Sequence, residues 1–201
     1  MNNITIENVD HYAFHNINVC EKPFRGIILA FLDKDASTLK RYIRFFAKQG
    51  IIFLVPKSDT PSLEEADGLL KMMFEEFHLR FWLPVLCLGE NVGIIPALTY
   101  AKASYCTPKA VFCRLGSERV SQTNAQSQQT FGLPFSAYNL IKTSPAIPYY
   151  FFLDNHGIGE TDKELFETIK NEKNVACFTT NDEQNSLLQL LVQEVEKYPN
   201  V

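Results

Sequence analysis

Short apolar runs alternate with segments of helical periodicity along most of the chain. The runs predicted as strands are residues 26–32, 51–55, 81–88, 110–113, 149–153 and 175–178. The segments between them carry apolar residues three or four positions apart, which is typical of amphipathic helices. Strands that alternate with helices predict an α/β fold, here a three-layer sandwich with a mostly parallel central sheet.

Helix-capping signals mark several of the predicted helix starts. Ser62 and Glu65 form a Ser-x-x-Glu capping box, and Thr161 and Glu164 are spaced to cap a later helix in the same way. Residues 94–103 are predicted as a helix whose first turns must hold Pro96. The apolar face of the final predicted helix consists of Leu187, Leu191, Val195 and Tyr198.

Two stretches depart from the regular alternation. Residues 3–19 are predicted as an N-terminal pair of strands. Residues 117–145 are rich in Ser, Gln and Asn in their first half and contain Pro134 and Pro145, so they are predicted as a long loop or small lid. No domain linker or internal repeat is evident, and we predict one domain over residues 1–201.

The charge balance excludes some classes of partner. With 201 residues, 46% of them hydrophobic, and a net charge of −4, the chain is a globular protein without general attraction for nucleic acid or an anionic membrane. No apolar run approaches the ~18 residues of a membrane span, and the N-terminus lacks the pattern of a secretory signal. We expect a cytoplasmic protein.

The cysteines and histidines give no sign of a disulfide framework or a metal site. The five cysteines are odd in number and lack CxxC spacing, which favours buried thiols in a reducing compartment. No cluster of Cys and His ligands is evident, so no metal is predicted. The chain also lacks nucleotide-binding glycine motifs, and no cofactor is expected.

The most informative motif is Gly89-Glu90-Asn91-Val92-Gly93, between a predicted strand and a predicted helix. It resembles the nucleophile elbow of the α/β-hydrolase superfamily, strand–Gly-x-Ser-x-Gly–helix, and the order of elements over residues 24–199 matches that family as well. The resemblance implies an α/β-hydrolase-like fold with Asn91 at the position of the nucleophile. Asn tolerates the positive φ of such a turn, but its amide is a poor nucleophile.

Other features that the resemblance implies are missing too. The family's histidine follows the last strand, where residues 179–184 contain no His. The family's acid usually lies in the loop after the strand ending at Leu153, where Asp154 and Asp162 are nearby but the spacing puts the expected position close to Ile158. His156, the only histidine after Asn91, lies in that same loop. The family's oxyanion segment is replaced by a segment that contains Asp33, and a carboxylate there would repel a developing oxyanion.

The sequence gives less support to other candidate sites. Cys87 is a candidate nucleophile in a shifted register, but a buried strand cysteine explains it better. Glu90 suits the carboxyl edge of the sheet or a helix N-terminus. Asp33, Asp35, Asp59 and Glu90 lie near carboxyl ends of predicted strands and could hold a cation, although solvated loop carboxylates are favoured over that site.

The sequence therefore predicts a hydrolase-like protein without the standard Ser-His-Asp triad. It would bind a small molecule or a protein partner through residues at the predicted elbow and the neighbouring strand ends. The predicted ligand-binding residues are Leu32, Asp33, Glu90, Asn91, Val92 and His156. Two alternatives remain open: an ester or thioester hydrolase with a rearranged site, and a structural or regulatory homodimer that associates through its edge strand or last helix.

Overall fold

The computed structural model describes residues 12–14, 24–32, 36–56, 62–76, 83–104, 106–115, 133–144, 146–154, 160–180 and 183–198. In these residues a sheet is flanked by helices on both faces. The strands are β1 (Tyr12–Phe14), β2 (Gly26–Phe31), β3 (Ile51–Pro56), β4 (Val85–Glu90), β5 (Ala110–Leu115), β6 (Tyr149–Asp154) and β7 (Val175–Thr180). The helices are α1 (Ala36–Lys48), α2 (Leu63–Glu76), α3 (Ile94–Ala103), α4 (Leu133–Lys142), α5 (Glu160–Ile169) and α6 (Glu183–Glu196).

The strand order across the sheet is β1-β3-β2-β4-β5-β6-β7. Strands β2 to β7 run parallel, and β1 pairs antiparallel with β3 at one edge. Every residue of β2, β3 and β4 is buried, because helices cover both faces of the middle of the sheet. The predicted three-layer sandwich with a mostly parallel sheet is confirmed.

Two apolar clusters fill the space between sheet and helices. On one face Leu29, Cys87 and Val111 pack with residues of α2, α3, α4 and α5. On the other face Leu88 and Phe112 pack with residues of α1 and α6. Alternate residues of a strand point to opposite faces, so neighbouring positions of one strand belong to different clusters.

Several boundaries differ from the predicted ones. Strand β4 extends through Glu90, since Gly89 and Glu90 still pair with β5. Helix α5 begins at Glu160, one residue before the predicted cap Thr161, and α6 ends at Glu196, before Tyr198. The predicted cap at Ser62 is confirmed, since its Oγ accepts a hydrogen bond from the Glu65 backbone N–H at 3.1 Å.

Helix α4 lies within residues 117–145, which the sequence predicted as a long loop or small lid. Residues Leu133–Lys142 are helical, with Pro134 in the first turn, where its missing N–H costs nothing. Ala137 and Ile141 lie one turn apart and are both buried, so a short apolar stripe anchors the helix. Residues 117–132, and all of the predicted strands over 3–19 except Tyr12–Phe14, lie outside the described residues.

Within the described ranges, no helix is both long enough and apolar enough to cross a membrane.

Candidate functional site

The chain makes a sharp bend between β4 and α3. Strand β4 ends at Glu90, residues Asn91–Gly93 form one 3₁₀ turn, and α3 begins at Ile94. Asn91 has a φ of +50°, and no other non-glycine residue in the described ranges has a positive φ. Asn is one of the few side chains that enter this region at low cost. The bend therefore lies where the Gly89–Gly93 motif predicted it.

Both glycines of the motif are required by close backbone approach. A Cβ on Gly89 would lie 2.7 Å from the Gly93 carbonyl oxygen and 2.9 Å from Ala97 Cβ. A Cβ on Gly93 would lie 1.8 Å from the carbonyl oxygen of Phe31 at the end of β2. Strand, turn, helix and neighbouring strand thus meet at distances that exclude any side chain.

Helix α3 is held in place from its other side by α2. The Tyr100 hydroxyl donates a hydrogen bond to Asp67 at 2.8 Å, and the Tyr100 ring lies 6.1 Å from the Phe31 ring. Burial raises the pKa of Tyr100 above its usual range, so its hydroxyl stays protonated as a donor. Helix α3 is consequently held against α2 and against the end of β2.

Three of the predicted ligand-binding residues come together at this bend. Asn91 is half-buried, Val92 is 56% exposed, and Leu32 is buried directly after the end of β2. Phe31 pairs with Gly89 across the two strands, so Leu32 lies beside the end of β4. The exposed Val92 and the half-buried Asn91 therefore lie at the carboxyl edge of the sheet, next to the end of β2.

Glu90 points to the side of the sheet covered by α1. The residue is 6% exposed, the Tyr42 hydroxyl donates a hydrogen bond to Oε1, and Arg114 Nη1 lies 3.8 Å from the same oxygen. Glu90 and Arg114 are direct neighbours on β4 and β5. The carboxylate is thus stabilised inside the protein by a hydroxyl and a cation, as a buried charge requires.

Tyr42 and Arg114 were missed as site residues by the sequence analysis. Arg114 carried a usable signal, because it is a lone charge near the end of an otherwise apolar strand, next to the strand that carries Glu90. The sequence contained no signal for the role of Tyr42, which is simply one of the apolar positions of helix α1. Its contact with Glu90 depends on how α1 packs on the sheet.

Cys87 has no surface through which it could act. Its side chain is fully buried between the sheet and the helices, and burial raises its pKa well above the ordinary value. Thiolate is the nucleophilic form of cysteine, and it is disfavoured here. This environment fits the buried strand cysteine that the sequence favoured over a catalytic role.

The remaining predicted site residues are only partly described. Asp154 ends β6, at the same edge of the sheet as the bend and two strands away from β4. Asp33 and His156 lie outside the described residues, as do Asp35 and Asp59. Within the described part of the chain, no three His, Cys, Asp or Glu side chains form a group that could hold a metal ion.

Solved structures with the same fold are enzymes of the α/β-hydrolase superfamily. A lipase in its open form superposes with a TM-score of 0.64 at 8% identity, over 90% of this chain and 93% of that one. An S-formylglutathione hydrolase from Agrobacterium tumefaciens gives 0.59 at 11% identity, over 90% and 87%. A thermostable carboxyl esterase from Bacillus coagulans, in complex with glycerol, gives 0.58 at 10% identity, over 89% and 91%.

No family model and no curated protein matches the sequence. At identities of 8–11% the likeness concerns the fold, and this chain has the α/β-hydrolase fold.

The backbone at Asn91 generates a first prediction. Asn91→Ala should have a free energy of unfolding about 1 kcal/mol lower than that of Asn91→Gly, because Ala resists positive φ. Both variants lose the amide, so their difference isolates the backbone. Urea unfolding followed by circular dichroism measures it, and equal stability of the two variants would contradict the positive φ.

The buried carboxylate generates a second prediction. Tyr42→Phe removes a donor from Glu90 and should lower the free energy of unfolding by about 2 kcal/mol. The matched control is Tyr198→Phe, since the Tyr198 ring is half-exposed and contacts Lys109 through its face. That control should change stability by no more than about 0.5 kcal/mol. Equal losses in the two variants would show that the Tyr42–Glu90 hydrogen bond adds nothing.

Proposed function

We propose that this protein is a ligand-binding protein with an α/β-hydrolase fold that has lost hydrolytic chemistry. In this proposal the bend at Gly89–Gly93 is the counterpart of the nucleophile elbow. One observation carries the proposal: the residue at its apex, with φ of +50°, is Asn91. In enzymes of this fold the same position presents an attacking Ser, Cys or Asp to the substrate.

An amide at the apex keeps the geometry of the turn without its reactivity. The Asn amide nitrogen is not made nucleophilic by a neighbouring base, and its oxygen carries no full charge. The nearest thiol in the strand, Cys87, is buried and protonated. The loop after β7 contains no histidine in its sequence, where enzymes of the superfamily place their general base.

The side chains at the bend suit a small, mostly apolar ligand with one polar group. Val92 is exposed, Leu32 is buried directly after the end of β2 beside β4, and an Asn side chain such as that of Asn91 can both donate and accept hydrogen bonds. Glu90 is neutralised by Arg114 within the protein, so the site carries little net charge from these two residues. We propose a small ester or thioester as the ligand class, since enzymes of this fold include a carboxyl esterase and an S-formylglutathione hydrolase.

A rearranged hydrolase is the second candidate, and the position of Asp154 favours it. Asp154 ends β6 at the sheet edge that carries the bend, just before the loop in which the superfamily usually places its acid, and His156 follows two residues later. This candidate requires a nucleophile that the bend does not supply. Turnover in the experiment below would favour it over the ligand-binding proposal.

A cytoplasmic location is part of the proposal. It is supported by the free thiols of Cys87, Cys106, Cys113 and Cys177, which suit a reducing compartment.

The ligand proposal is tested with p-nitrophenyl acetate and p-nitrophenyl butyrate. We expect saturable binding of the ester by ligand-observed NMR, with no release of p-nitrophenolate above the uncatalysed rate. Val92→Trp should weaken binding by at least about tenfold, because a bulky ring at the apex obstructs the site, a loss equal to about 1.4 kcal/mol.

Thr99→Trp is the matched control, since Thr99 is exposed on α3 away from the apex. This variant should bind the ester as the parent protein does. Catalysed ester cleavage by the parent protein would overturn the non-catalytic proposal. Equal binding of the ester by both Trp variants would show that the ester does not bind at this site.

A further inference from the structure

Helix α1 presents a continuous row of cations to solvent. Lys40, Arg41, Arg44 and Lys48 are all exposed, and the sequence of Ala36–Lys48 contains no acidic residue. Consecutive residues of an α-helix lie about 100° apart around its axis, so these four side chains fall within one arc of about 100°. We call this arc the basic face of α1. Its charge is opposite in sign to the net charge of the chain, which is −4.

The other side of α1 is fully used by the core. Four large side chains are buried against the sheet there, those of Leu39, Tyr42, Ile43 and Phe46. The half-buried residues Phe45 and Ala47 lie at the two borders between this buried side and the basic face. A partner therefore meets α1 only through the basic face and its borders.

The basic face lowers the stability of the helix that carries it. Lys40 and Arg44 are four residues apart, as are Arg44 and Lys48, and like charges at this spacing repel one another. None of these three side chains forms an ion pair with another described residue. Helix α2 differs, since its Lys71 lies 3.9 Å from Glu75 one turn away. Carboxylates supplied by a partner would relieve the repulsion on α1.

We propose that the basic face of α1 docks an acidic helical segment of a partner protein. Lys40, Arg44 and Lys48 follow one another at about 6 Å along the helix axis and span about 12 Å. A helix with Asp or Glu at every fourth position repeats its carboxylates at the same interval, so the two rows of charges match. Phe45 adds apolar contact beside the cations. The inference is independent of the proposed ligand site, because that site lies at the carboxyl edge of the sheet.

The surroundings of α1 favour a protein partner over a membrane or a nucleic acid. A membrane-binding helix inserts large apolar side chains beside its cations, but the only exposed large apolar residue in the described part of the chain is Val92, at the bend. Nucleic acids bring many phosphates, which the net charge of −4 opposes. Helix α6 packs on the same face of the sheet and exposes the uncharged Gln189 and Gln193. A single acidic helix therefore suits the width of the cationic surface.

Fluorescence anisotropy with synthetic peptides supplies the first test. The probe is a fluorescein-labelled helical peptide of alanine with a glutamate at every fourth position, and its glutamine counterpart is the control. We expect saturable binding of the glutamate peptide alone. The binding should weaken between about 0.01 M and about 0.1 M salt, because the Debye length falls from about 30 Å to about 10 Å. No binding at the lower salt concentration, or equal binding of the glutamine peptide, would overturn the proposal.

The position of the glutamates tests the helical match. A peptide of the same composition, with its glutamates distributed around the helix, should bind more weakly than the peptide that aligns them. Equal affinity of the two peptides would overturn the assignment of a helical partner.

Neutralising the basic face supplies the second test. The combined variant Lys40→Gln, Arg44→Gln and Lys48→Gln should raise the dissociation constant of the glutamate peptide at least about tenfold. Glutamine is a good helix former and the three positions are exposed, so circular dichroism should show an unchanged fold. Unchanged affinity in this variant would overturn the assignment to α1.

A control variant undergoes the same change in net charge elsewhere. It combines Lys71→Gln, Lys102→Gln and Lys163→Gln, at exposed lysines of α2, α3 and α5 on the other face of the sheet. Its dissociation constant should change by less than about twofold. Equal weakening in the two triple variants would assign the binding to the overall charge of the chain and overturn the proposal.

Vesicles and DNA are the competing probes. Vesicles of phosphatidylserine and phosphatidylcholine in equal parts, and a short DNA duplex, should each bind the unmodified protein more weakly than the glutamate peptide. Tighter binding of either, lost in the α1 variant, would overturn the choice of a protein partner. Binding of p-nitrophenyl butyrate should be the same in the α1 variant and the parent protein, so failure of one proposal is distinguishable from failure of the other.

Discussion

The close approach of four backbone segments at the end of β4 is the constraint on which the site depends. Gly89 lies against the turn and α3, and Gly93 lies against the carbonyl of Phe31, at distances that no Cβ could occupy. The chain turns sharply over Asn91–Gly93 between β4 and α3, and Asn91 adopts a left-handed conformation there. The same contacts bring the end of β2 beside the apex, so the bend determines which residues lie at the site.

The interactions around the bend hold it from both faces of the sheet. On one face the Tyr100–Asp67 hydrogen bond ties α3 to α2. On the other face Glu90, the residue just before the apex, is held by Tyr42 of α1 and by Arg114 of β5. A buried carboxylate costs stability unless it is compensated, so this arrangement makes the position of Glu90 specific. In the proposed function, it also keeps a free negative charge away from the ligand.

The fold was largely predictable because its signals are local. Uninterrupted apolar runs gave the buried strands, and Gly89 and Gly93 around Asn91 gave the bend, since glycines at that spacing have a direct steric purpose. Helix α4 was missed because Pro134 and Pro145 suggested a loop, while its buried stripe of Ala137 and Ile141 is too short to stand out. Polar partnerships were the least predictable, because Tyr42 meets Glu90 only through the packing of α1.

The central claim of the proposed function is that the apex of the bend holds the amide of Asn91 and that the protein has no activated nucleophile. Intact-mass spectrometry after incubation with a fluorophosphonate probe tests it most directly, because such a probe bonds covalently to an activated nucleophile in the site and leaves an amide unmodified. The account predicts the unmodified chain mass of 22.9 kDa after prolonged exposure. A single stoichiometric adduct, mapped to a hydroxyl or thiol near the carboxyl edge of the sheet, would contradict it.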